Sequence, residues 1–136
     1  MPTLVSMKAP DAQFPPAVRL LLADLARTVP ALSVTVDPNG TGREVTAWVW
    51  GPSGGGIGVL VPWEGFTATE ALAHLVDQLH DFVLEELAGQ GLSTSWPPCP
   101  EHPDRHPLVA AAVSDRVMWT CPVARRPVTP VGSLGT

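Results

Sequence analysis

The chain has 136 residues, a formal net charge of −5, 45% hydrophobic residues and only two cysteines. That length suits one domain, at ~100–200 residues each, and with a mean hydropathy of +0.17 the composition excludes a disordered chain. The charge is uneven: residues 1–98 carry ten acidic and four basic side chains, whereas residues 99–136 carry a slight basic excess. An acidic body repels phosphate backbones, which argues against nucleic acid as the partner.

No apolar run approaches the ~20 residues that a membrane span requires. The opening MPTLVSMKAP has one lysine and no apolar core segment, unlike a signal peptide. The expected setting is cytoplasmic and reducing, where paired cysteines more often hold metal than form a disulfide.

Residues 1–13 show no periodicity and read as a flexible arm. Pro15-Pro16 can open a helix, because the first turn does not need proline's missing N–H. Val18, Leu21, Leu22, Leu25 and Val29 then recur on one helical face, with Arg19, Asp24 and Arg27 off it. Leu20 falls outside the stripe, and Pro30 stops the helix at about Thr28.

Three strands follow. Ala31–Asp37 alternates, placing Leu32, Val34 and Val36 on one side. After an Asp-Pro-Asn-Gly loop, Arg43–Trp50 puts Val45, Ala47 and Val49 on one face and Thr46, Trp48 and Trp50 on the other. Gly54-Gly55-Gly56 then turns the chain into Ile57–Val61. A phosphate loop needs a following helix and a lysine, and neither follows here. Trp48 and Trp50 would make an apolar patch on the sheet's outer face. The C-terminal segment, a second subunit in a homodimer, a protein partner or a ligand are each candidates to cover them.

The second helix is the clearest element. Thr67 and Glu70 form a capping box, and Leu72, Leu75, Val76, Leu79, Phe82, Val83 and Leu87 make a broad apolar stripe ending at Gly89. Glu70, His74, Asp77, Asp81 and Glu85 line the opposite face and read as solvated charge, while His80 reads as a surface residue.

The remaining chemistry gathers between Cys99 and Cys121. Cys99-Pro-Glu-His102 has the two-residue gap with which a tight turn offers two ligands to one ion, and His106 follows closely. Leu108–Val113 and Arg116–Thr120 read as a hairpin turning at Ser114-Asp115, which would return Cys121 to the first turn. Cys99, His102, His106 and Cys121 make a Cys₂His₂ set suited to tetrahedral zinc in a closed, structural site. Other readings stay open at this point. They are a Cys99–Cys121 disulfide, unpaired thiols, Asp104 in place of His106, or a zinc hydrolase using Glu101 or Asp104 as base. A nucleic-acid-associated factor would instead use Arg105, Arg116, Arg125 and Arg126, of which Arg125-Arg126 is the one basic cluster.

The tail resembles that of uncharacterised short actinobacterial proteins, in which CPxH…HPL is followed by an aromatic-x-Cys-Pro and a closing Gly-x-Leu. Here these are Trp119-Thr-Cys121-Pro122 and Gly132-Ser-Leu134. The likeness spans the last quarter of the chain and implies a metal-binding tail, with no activity attached. The order of elements is also similar to that of secretion-chaperone-like and YbjN-like folds, an analogy that does not dictate function.

The expectation is therefore an α+β protein: a flexible arm (1–13), an α-β-β-β-α core (14–91) and a zinc-ribbon-like β-hairpin tail (92–136) packed on that core. It reads as a non-enzymatic protein-binding module with a structural zinc site. Its candidate interface residues are Trp48, Trp50, Arg125 and Arg126.

Overall fold

The computed structural model describes residues 5–6, 16–37, 45–60 and 66–136. Pro15, Arg43, Val61, the Asp-Pro-Asn-Gly loop after Asp37 and most of the 1–13 stretch lie outside the described residues.

The protein is α+β. Its elements run β1 (Val5–Ser6), α1 (Pro16–Thr28), β2 (Thr35–Asp37), β3 (Val45–Trp50), β4 (Gly56–Leu60), α2 (Ala68–Gly89), β5 (Pro98–Cys99), β6 (His102–Pro107), β7 (Val109–Val113), β8 (Arg116–Cys121) and β9 (Arg126–Pro130). The first sheet is an antiparallel meander in the order β1-β2-β3-β4. It contains the three expected strands and a fourth from the arm, Val5–Ser6, which pairs with Val36 and Thr35.

Alternation decides the faces of this sheet. Val34, Val36, Ala47, Val49 and Val59 are buried, joining Val18, Leu21, Leu22 and Leu25 of α1. Trp48 and Trp50 project to the other face, half-buried and stacked at 5.8 Å with 17° between their planes. A Cβ on Gly56, which pairs with Trp50, would lie 2.2 Å from the Trp50 ring, so the indole lies across the glycine.

The capping box of α2 forms as its sequence dictates. The Thr67 amide donates to Glu70 Oε1 at 2.9 Å and the Glu70 amide to Thr67 Oγ1 at 3.1 Å. Those bonds to Thr67 also hold the Glu70 carboxyl below its ordinary pKa. The other end differs from expectation. Gly89 is still helical, and Gly91 takes the left-handed conformation at φ 70°. Leu92 N–H donates to Leu87 O and Gly91 N–H to Ala88 O, a complete Schellman closure. The acidic face is indeed solvated, with Glu70, His74, Asp77, Asp81 and Glu85 all exposed.

The tail is more than a hairpin. β5 and β6 pair as a two-stranded ribbon, and β7-β8-β9 form a three-stranded sheet. The β7–β8 turn falls at Ser114-Asp115 as expected, with Ser114 at φ 56°. The additional strand, β9, reads Arg-Pro-Val-Thr-Pro. Proline cannot donate to a ladder, which masks a strand in the sequence but is tolerated at a sheet edge, where β9 lies.

α2 packs against α1, β4, β7 and β8, so it joins the two sheets. A single cluster of buried side chains contains Leu21, Leu79 and Leu87 together with Trp96, Leu108, Val117 and Trp119 of the tail. Among the described residues, no helix is long and apolar enough to cross a membrane.

Candidate metal centre

Cys99 ends β5 and His102 opens β6, and the two are register partners across the Pro100-Glu101 turn. The pairing then jumps to Pro98↔Pro107, so residues 103–106 leave the ladder and His106 returns beside His102. The β7–β8 hairpin carries Cys121, the last residue of β8, to the same place. The ligand atoms of Cys99, His102, His106 and Cys121 all lie within 4.8 Å of one another, a group that can hold a metal ion.

His102 Nδ1 is central to the group, 3.6 Å from Cys99 Sγ, 4.0 Å from Cys121 Sγ and 3.1 Å from His106 Nε2. Both cysteines are buried and unbridged, whereas both histidines are half-buried. His106 Nδ1 lies 3.1 Å from the Pro107 carbonyl. A carbonyl can only accept, so Nδ1 is the donor there, and Nε2 is the nitrogen that faces the cluster. Metal-ligating histidines are commonly oriented by such an outer hydrogen bond.

The thiol of Cys121 is prepared by its own turn. The Ala124 amide donates to Cys121 Sγ at 3.4 Å and holds the thiol below its ordinary pKa. Burial opposes this, and the Val123 amide and the Cys99 side chain add to it. Two amides aimed at one sulfur from the residues after a Cys-Pro favour thiolate, the form that binds metal. Arg125 closes the turn at φ 54°.

The neighbouring charges face elsewhere. Glu101 pairs with Arg126, and both are well exposed. Asp104 is exposed and stands outside the four-residue group, which contains His106. Arg125 is exposed beside Arg126, whose guanidinium is engaged with Glu101.

Three polar residues matter to the site in ways that sequence reasoning missed. Asp24, expected on the open face of α1, is fully buried and accepts from Trp119 Nε1 (2.7 Å), Gly132 N (2.7 Å), Leu134 N (2.8 Å) and Arg27 Nη2 (3.1 Å). His80, expected at the surface, is 3% exposed and sits edge-on to the rings of Trp96 and Trp119. Its Nε2–H donates to Trp96 O at 2.7 Å. Burial pushes its pKa down, against that hydrogen bond and the charges of Asp81 and Asp77. Glu86, also buried, accepts from the Ser53 hydroxyl at 2.8 Å and so ties the β3–β4 turn to α2.

These contacts reach the candidate ligands through short stretches of chain. Trp96, three residues before Cys99, donates from Nε1 to Thr28 Oγ1 at 2.9 Å, and Trp119, two residues before Cys121, donates to Asp24. Both segments of the Cys/His group are thereby fastened to α1 and packed round His80 of α2. The chain matches no protein-family model, no curated protein and no solved structure. The likeness of its tail to a metal-binding tail rests on the Cys/His group alone.

Proposed function

We propose that the chain is a non-enzymatic protein-binding module whose tail is held by one structural zinc ion. The observation that carries the zinc reading is the spacing of the four donors. With Zn–S about 2.3 Å and Zn–N about 2.0–2.1 Å, a tetrahedron has S···N edges of about 3.6 Å and N···N edges of about 3.3 Å. The His102 Nδ1 distances to Cys99 Sγ and His106 Nε2, 3.6 and 3.1 Å, fall close to these values, while that to Cys121 Sγ, 4.0 Å, is longer and would shorten on binding an ion. Two thiolates and two imidazoles satisfy a zinc ion fully, leaving its role as a cross-link between β5–β6 and β8. Of the two carboxylates that a hydrolase reading offers as base, Glu101 is engaged with Arg126 and Asp104 stands outside the Cys/His group.

The binding surface in this reading is the sheet face of Trp48 and Trp50. Half-exposed tryptophans are the residue type most enriched at the energetic centres of interfaces. A partner protein, or a second copy in a homodimer, would cover them.

Metal analysis of protein purified without chelator tests the first part. About one zinc per chain is expected, with loss of metal and unfolding of the tail in Cys121→Ser and His106→Ala. Metal-free, fully folded protein would overturn it. For the second part, protein recovered from its own cells should bring down a stoichiometric partner that a Trp48→Ala/Trp50→Ala double variant loses while keeping its zinc. Light scattering separates a homodimer from a heterologous complex, and recovery of the same material by the double variant would refute the assignment of that face.

A further inference from the structure

Apart from the tryptophan face and the metal ligands, the protein carries a groove of about 530 Å³ where α1, α2 and the metal-bearing loop meet. Its volume falls in the range of small-molecule sites, roughly 300–1,000 Å³. Val29, Leu87, Leu92, Trp96 and Leu134 give it an apolar lining. Two serines, Ser93 and Ser95, add hydroxyl groups.

The charged side chain that lines the groove is acidic. Thr28 and Val29 mark the C-terminal end of α1, and Leu87 and Leu92 that of α2, so both helices end here. The C-terminal end of a helix carries roughly half a negative charge. Asp104 is the one charged side chain among the described lining residues, and its carboxylate makes no hydrogen bond or ion pair with the described residues. Arg27, in the last turn of α1, donates to the Leu134 carbonyl at 2.7 Å and offsets that helix end, which leaves Asp104 and the end of α2 as the negative sources.

The geometry points to a binding site for a small amphiphilic cation, an apolar body carrying one ammonium or guanidinium group. The apolar part lies against Leu87, Leu92 and Trp96, and the cation faces Asp104 near the two helix ends. An anionic counterpart of the same shape would meet repulsion from Asp104 and the end of α2.

Two probes of matched shape, 4-phenylbutylamine and 4-phenylbutyrate, test this by NMR titration of the full chain at low ionic strength. The amine is expected to shift the amides of Leu92, Ser93, Ser95 and Asp104. It should bind more tightly than the acid by up to about fivefold, the contribution of one exposed ion pair. Asp104→Asn should bring the two affinities closer, chiefly by weakening the amine. Ser93→Trp, which places an indole in the groove from an exposed position, should abolish binding of both. An unchanged Trp96 indole N–H resonance, the donor to Thr28, certifies that each variant keeps the fold. Equal affinity of amine and acid, shifts confined to other surfaces, or an amine preference untouched by Asp104→Asn would overturn the proposal.

Discussion

Asp24 gives the sharpest test of how the tail is held. Its two oxygens receive four donors: Trp119 Nε1 and Gly132 N on Oδ2, Leu134 N and Arg27 Nη2 on Oδ1. Asp24→Ala removes every acceptor at once. Trp119 is fully buried, so its indole N–H is left without water or protein and costs about 2 kcal/mol. The Gly132 and Leu134 amides belong to half-buried residues and reach water more readily, at about 1 kcal/mol each. Arg27 is exposed enough to be rehydrated, and its loss adds little. The total is about 4 kcal/mol, within the ~3–5 kcal/mol found when one partner of a buried charged network is removed. Asp24→Asn preserves the volume but turns one oxygen into a donor facing two donors, and should cost about half as much. Urea unfolding at pH 7 followed by tryptophan fluorescence measures both. A loss below about 1 kcal/mol for Asp24→Ala would show that the carboxylate does not hold the tail.

Other consequences follow from the same structure. His80 is buried with a lowered pKa, so the unfolded chain takes up its proton first as pH falls through about 6.5, and the native state loses stability below that value. The extra pH 7.5-to-5.5 loss in wild type over His80→Gln isolates this term, on the order of 1 kcal/mol at most. Equal slopes would refute it. Gly89 and Gly91 should respond with opposite signs. Gly89 is helical with open space at its Cβ, so Gly89→Ala stabilises by about 0.5–1 kcal/mol, whereas Gly91→Ala at φ 70° costs about 1 kcal/mol. Thermal melts that ranked them the other way would mean the helix ends at Gly89. A Cβ on Gly51 would lie 1.7 Å from Glu86 Oε1, so Gly51→Ala should displace Glu86 from Ser53 at about 1–3 kcal/mol. A Ser53→Ala background, which lacks that bond, should absorb part of the loss.

What the sequence made legible was local. The α2 stripe, its capping box, the alternation of β3 and the Ser114-Asp115 turn each depend on residues within a few positions of one another, and each formed as read. The Cys/His group was legible because its residue types are rare in this chain and their spacing has a chemical meaning. Asp24, His80 and Glu86 were not legible. On a helical wheel each reads as part of a wet face, and only partners 16 to 110 residues away make burial affordable. Strand β9 was hidden by its two prolines, which an edge position tolerates. The helix stop was placed at the first of two nearby glycines, although the backbone reverses at the second.

The reach of Asp24 also has a meaning in time. During synthesis α1 emerges early, whereas Trp119, Gly132 and Leu134 follow 95, 108 and 110 residues later. Until then Asp24 has, of its four donors, only Arg27 of its own helix. A chain lacking residues 119–136 would leave the Asp24 carboxylate with Arg27 alone of its four donors, so the acid of α1 can be buried only together with the tail.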